Sequence, residues 1–219
     1  MVPYIDIHSH HPSNRNDIIH VQNLIFPQQK LLPTTCTIGM HPWYIPTENL
    51  DSQLIALRAL LSHSQIWGVG ECGLDKICKT EWNLQIQAFK AQVLLANQFN
   101  KPLIIHCVKA FEEVLKILSE SKSTVPTIFH GFNKHPQLAN TLIKKGYYLS
   151  FGEDLKYQKV KDTFKNCPPD RVFLETDQSD LTIAQIYNLA LDQSEMELDT
   201  VKNQILQNYK NCNIEYLNT

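Results

Sequence analysis

The sequence predicts a parallel (β/α)-barrel, and three observations carry that reading. Eight short apolar runs bounded by turn residues recur along the 219 residues. Helical apolar patterns separate them from Asn49 onward. Histidines or carboxylates stand at, or just past, the ends of several of these runs. Strands alternating with helices call for parallel pairing, because a parallel neighbour needs a crossover, and eight of them predict a closed barrel.

The candidate strands are Tyr4–His8, Ile18–Ile25, Cys36–Met40, Ile66–Glu71, Leu103–His106, Thr127–His130, Tyr147–Phe151 and Arg171–Glu175. Each is a short β-rich run closed by turn residues. Helices are expected over Asn49–Leu61, Trp82–Asn100, Ala110–Ser121, Pro136–Lys145, Ile183–Leu191 and Met196–Tyr209, with a weaker pattern near Leu155–Phe164. Leu84, Ala88, Ala91 and Leu95 keep the 3.6-residue spacing of a buried helical stripe. The links between the first three strands are too short for a helix, so the first two connections should lack full ones. With no linker, repeat or low-complexity tract, residues 1–219 are expected to form a single barrel domain.

Composition narrows the function. A net charge of −2 gives no global signature of nucleic-acid binding, so any attraction to phosphate must be local. The N-terminus lacks a basic segment followed by an apolar run, and no stretch approaches the ~18 apolar residues of a membrane span. Six cysteines include no Cys-x-x-Cys pair, which suits reduced thiols in a cytoplasmic protein. No membrane and no obligate protein partner are expected.

The chemistry gathers at the strand ends. His8 and His10 are two apart, so on an extended strand both rings point to one side and can chelate a cation, with Asp6 below to orient them. Glu71 can bridge two ions, and His106 and His130 can complete the second. Asp177 follows the last strand. In a parallel barrel such ends share the face where active sites form. Mixed imidazole and carboxylate donors favour Zn²⁺, Mn²⁺ or Fe²⁺ over Mg²⁺. Cys72 and Cys107 adjoin candidate ligands but should turn away by alternation, as small buried residues.

Taken in order, Asp6-Ile7-His8-Ser9-His10, Gly39-Met40-His41-Pro42, Gly70-Glu71-Cys72-Gly73-Leu74-Asp75, Pro102-Leu103-Ile104-Ile105-His106-Cys107, His130-Gly131-Phe132 and Leu174-Glu175-Thr176-Asp177 resemble the successive motifs of TatD-type metal hydrolases. The match runs from about residue 4 to 178. The resemblance implies an amidohydrolase-type barrel and two divalent ions, with Zn²⁺, Mn²⁺ or Mg²⁺ as candidates. His8, His10 and Asp177 would hold one ion, His106 and His130 the other, with Glu71 between. Asp177 and Glu71 would be the catalytic carboxylates, and metal-activated water would attack phosphorus in line. His41 would sit behind the ligands or touch the substrate.

Departures from the family pattern bear on substrate. His106-Cys107-Val108-Lys109-Ala110 stands where the family has His-x-Arg-x-Ala, so Lys109 offers a point charge in place of a bidentate Arg. Gln178-Ser179-Asp180 leads almost directly into a helix, without the family's longer Arg-Asn-x-Pro loop. Phosphate orientation would then lean on lysines such as Lys109 and Lys134. The expected activity is hydrolysis of DNA ends or small phosphodiesters, and the alternative is a metal-dependent amidase or deacylase.

Overall fold

A computed structural model of the chain describes residues 2–27, 34–192 and 196–212. Among these residues eight strands pair side by side in chain order. They are β1 (Tyr4–Ser9), β2 (Ile18–Ile25), β3 (Cys36–Gly39), β4 (Ile66–Asp75), β5 (Leu103–Val108), β6 (Thr127–Phe129), β7 (Tyr148–Phe151) and β8 (Val172–Leu174). The pairings β1 with β2, β3 with β4, β4 with β5, β6 with β7 and β7 with β8 are parallel. A parallel bridge between Ser9 and Asp177 joins the first strand to the segment after the last. This is the (β/α)-barrel architecture that the alternation of apolar runs predicts.

Among the described residues seven α-helices accompany the strands: α1 (Leu50–Leu60), α2 (Trp82–Phe99), α3 (Phe111–Glu120), α4 (Pro136–Lys144), α5 (Gln158–Lys165), α6 (Ile183–Leu191) and α7 (Leu198–Cys212). The weak helical pattern near residue 155 resolves into a 3-10 turn over Glu153–Lys156 and then α5. No helix lies between β1 and β2, as the short link requires. Residues 28–33 of the second connection lie outside the described residues, so its expected lack of a helix is not settled there.

The chain packs as two compact units, Met1–Gln22 with Ile128–Thr219, and Asn23–Thr127. In the first, Ile5, Ile7, Phe129, Phe151 and Phe173 are buried to within 1% of full enclosure. Tyr187 of α6 is fully buried there, and its hydroxyl accepts from Ile5 N–H at 3.2 Å and donates to Ile5 O at 3.3 Å. Asn208 of α7 donates its amide to Pro169 O and Val172 O, both at 2.8 Å. Each helix thus buries an apolar stripe and places one amide or hydroxyl where strand backbone needs a partner.

In the second unit β4 is the central strand. All ten of its residues are buried, as expected of a parallel strand covered on both faces. It runs four residues beyond the predicted end at Glu71. Gly73 allows the extension: it has φ +147°, and a Cβ there would lie 1.9 Å from His106 O. Helix α2 starts where the Glu81 side chain accepts from Leu84 N–H at 2.8 Å, and it ends at Asn100, whose φ of 56° is left-handed.

Candidate metal centre

In the first unit the candidate ligands are positioned by β1 meeting the segment after β8. Asp177 N–H donates to His8 O, and His10 N–H donates to Asp177 O, both at 2.9 Å. Asp177 is left-handed, with φ 52°, and its carboxylate meets both imidazoles. Its Oδ1 lies 3.6 Å from His8 Nε2 and 3.4 Å from His10 Nε2. The two rings stand at right angles, 5.2 Å apart. Ligand atoms from the three residues lie within 4.8 Å of one another. His8 is fully enclosed, whereas the Asp177 side chain is 38% exposed.

His130 follows β6, and its ring lies 4.3 Å from that of His8. Its Nδ1 is 3.4 Å from Oε1 of Glu175, which stands inside the Leu174-Glu175-Thr176-Asp177 motif without a role legible from sequence. Glu175 is fully buried. Oε1 accepts from Gly131 N–H at 2.7 Å, while Oε2 has no hydrogen-bond partner among the described residues. A buried carboxylate oxygen in that state carries a desolvation cost that a nearby cation would offset. His130, Glu175 and Asp177 form a second triad of close ligand atoms. A polar cavity of about 410 Å³ opens beside Glu175 and Asp177, with Glu153, Asp154 and Asp180 in its wall.

The second unit holds Glu71, His106 and His41, whose ligand atoms also lie within 4.8 Å of one another. Glu71 is 3% exposed, and its Oε1 lies 2.8 Å from His106 Nδ1 and 3.1 Å from His41 Nε2. His41 Nδ1 accepts from Trp43 N–H at 3.1 Å, which places its ring proton on Nε2, facing Glu71. Asn23 holds Glu71 from behind: its Oδ1 accepts Glu71 N–H at 2.8 Å, and its Nδ2 donates to Oε2 at 3.4 Å. His106 Nε2 is 3.2 Å from Asp75 Oδ2. Burial works to raise the Asp75 pKa, but hydrogen bonds from the Trp43 indole, Ile77 N–H and His106 outweigh it and hold the carboxyl below its usual range.

Helix α2 fixes the strand ends around this cluster with two buried glutamines seven residues apart. Gln85 Oε1 accepts Asp75 N–H at 2.9 Å, and its Nε2 donates to Asp75 O at 3.1 Å. Gln92 repeats the arrangement on Met40, at 2.7 and 3.2 Å. Asp75, Glu175, Gln85 and Gln92 escape sequence reasoning, although Asp75 and Glu175 stand inside the motif segments. Lys109 and Lys134 are exposed, following β5 and β6, and Lys134 Nζ donates to Asn133 Oδ1 at 2.5 Å. Cys72 is buried as expected, whereas Cys107 is partly exposed.

Imidazole and carboxylate oxygen are the donor types divalent transition ions take, and three-ligand clusters of this size suit them. Fold and donor set together define a (β/α)-barrel with candidate groups for a divalent metal. The chain belongs to the family of TatD-related DNases, whose profile matches residues 20–212. A metal-dependent hydrolase from Bacillus subtilis, YabD, itself uncharacterized, is 34% identical over 150 residues, which cover 66% of this chain and 58% of that protein. A protein from Cronobacter sakazakii named 3'-5' ssDNA/RNA exonuclease TatD is 31% identical over 64% of this chain and 56% of its own. The chain thus spans less than two-thirds of the length of these curated relatives. Among solved structures, the TatD homologue YjjV from Escherichia coli superposes with a TM-score of 0.82 at 19% identity, over 95% of this chain and 97% of its own. An amidohydrolase from Saccharomyces cerevisiae, likewise uncharacterized, superposes at 0.75 with 12% identity, over 97% and 100% of the two chains. These superpositions speak to the fold alone.

Proposed function

We propose that the chain is a metal-dependent phosphodiesterase of the cytoplasm that hydrolyses nucleic-acid ends or small nucleotide esters, its two units serving one hydrolase domain. The observation that carries this is the His8–His10–Asp177 cluster, made by β1 meeting the end of β8, in a chain of the TatD-related family. In this reading His8, His10 and Asp177 hold one divalent ion, and Glu71, His106 and His130 are the further metal ligands. Bound Zn²⁺, Mn²⁺ or Mg²⁺ would offset charge developing on a phosphoryl oxygen and favour loss of a proton from water at neutral pH.

The remaining roles belong to the side chains. Asp177 would accept a proton from water, a role supported by its being the most exposed of the carboxylates described at these clusters. Glu71 is oriented by His41 and Asn23, which makes His41 a residue acting through Glu71 more than on substrate. Lys109 and Lys134 offer point charges for phosphate. Trp43 and Tyr44, 52% and 45% exposed beside His41, offer faces on which bases can stack. The named activity of the Cronobacter relative supports a single-stranded substrate. No helix among the described residues is long and apolar enough to cross a membrane.

The test compares Mn²⁺-loaded protein on 3'-labelled single-stranded DNA, a chromogenic phosphodiester and a panel of amides and acyl esters. Cleavage of the phosphodiesters, abolished by chelation and restored by added metal, is the expected result. Faster turnover of an acyl substrate would overturn the assignment in favour of an amidase.

A further inference from the structure

We propose that His20, a residue of β2 outside the ligand set, is a positioning residue that closes a ring of hydrogen bonds beneath His10 and Asp177. The inference rests on the reading of those two residues as metal ligands.

The ring can be followed atom by atom. Asp6 is 3% exposed, and its oxygens face Thr176: Oδ1 accepts Thr176 N–H at 2.9 Å and Oδ2 accepts the Thr176 hydroxyl at 2.8 Å. A carboxylate only accepts, so the Thr176 proton goes to Asp6. Ser9 Oγ, 2.8 Å from Thr176 Oγ1, must then donate to it, and is left to accept His11 N–H at 3.3 Å. His20 joins the two ends. Its Nδ1 lies 3.3 Å from Asp6 Oδ2 and its Nε2 lies 2.8 Å from His11 O.

Both partners of the His20 ring are acceptors, a carboxylate and a carbonyl, so both nitrogens are satisfied only when both carry protons. Imidazolium is the form this pocket selects. Burial pulls the His20 pKa down, but the hydrogen bond and charge of Asp6 and the bond to His11 O outweigh it, leaving the pKa raised. The charged or titratable groups lining the adjoining cavity are Asp6, His11 and Asp180.

The position of the ring gives it its role. Ser9 and His11 flank His10, and Thr176 precedes Asp177, so three ring members fix the backbone on either side of two ligands. Asp177 is left-handed and half out of the protein, so its carboxylate depends on its neighbours for direction. Groups that orient ligands in this way typically contribute ten- to a hundredfold in metal affinity.

The experiment has two arms, neither of which needs turnover. In the metal-free protein, long-range ¹H–¹⁵N spectra should show both His20 nitrogens protonated above the pH at which an ordinary histidine is half neutral, and Asp6→Asn should abolish this. Co²⁺ titration, followed by visible absorption, should show His20→Ala and His20→Gln each weakening binding about tenfold. Their melting curves should establish that both variants fold. A neutral His20 at pH about 6.5, or unchanged Co²⁺ affinity in both variants while His10→Ala loses it, would overturn the positioning role. Unchanged affinity in His10→Ala would instead overturn the ligand assignment beneath it.

Discussion

Glu175 shows how much one carboxylate depends on its exact neighbours. Its Oε1 caps the Gly131 N–H beside His130, so truncation leaves a backbone donor without its partner. Glu175→Ala should therefore cost about 1–3 kcal/mol in urea denaturation, whereas Glu175→Gln, which keeps an acceptor, should cost less. If Ala and Gln behave alike, the Gly131 contact is not the source. His20 supplies the pH dependence at this scale. Its folded pKa lies above the unfolded value of about 6.5, so its contribution to stability is complete below that pH and fades as pH rises through the folded pKa. The stability gap between wild type and His20→Gln should be wider at about pH 6 than at about pH 9. An equal or inverted gap across the two conditions would contradict the sign derived from the Asp6 pairing.

Among the elements, β4 and α2 set the geometry of the Glu71 cluster. Gly73 admits no side chain: its φ is +147° and a Cβ would meet His106 O at 1.9 Å. The substitution Gly73→Ala should push β5 from β4, lower the thermal midpoint by several degrees or more, and weaken metal binding through His106. The two buried glutamines of α2 make a subtler case. Gln92→Leu keeps most of the volume but strips Met40 of partners for its N–H and C=O. A cost of roughly 2–4 kcal/mol is expected from two unsatisfied backbone groups, and His41, next in sequence, should lose its hold on Glu71. A fall in activity larger than the loss of folded protein would show that the α2 contacts orient the site as well as stabilise it.

For the whole molecule, the near-balanced charge of −2 means that any attraction to nucleic acid under the proposed function would rest on a few side chains. The cavity beside Asp177 has an acidic wall, and the exposed Lys134 adjoins Asn133, one of its lining residues. Lys109→Ala and Lys134→Ala should each flatten the dependence of log affinity for single-stranded DNA on log salt by about 0.7. Asp180→Asn, which removes one negative charge from the cavity, should act in the opposite direction and raise affinity by about two- to threefold at low salt. Affinities indifferent to all three changes would mean that phosphate is held at the metal centre alone.

Much of this was legible without coordinates, because it depends on order along the chain. A period of two puts His8 and His10 on one side, an apolar run ending in His130 or leading to Asp177 marks a strand end, and alternation with helices requires parallel pairing. The strand boundaries fell within a residue or two except at β4, where burial on both faces and a glycine against β5 carried the strand on to Asp75. The supporting partners were not legible. Asp6 meets Thr176 across 170 residues, and Glu71 meets Asn23 across 48. Which of many buried polar residues face each other depends on strand register, since a slip of one residue turns each side chain to the opposite face. The sequence by itself therefore determined the kind of fold and pointed to the candidate ligands. Only the tertiary structure decided which carboxylates, amides and imidazoles stand behind them, because hydrogen bonds a few ångströms long exist only once the strands have taken their places.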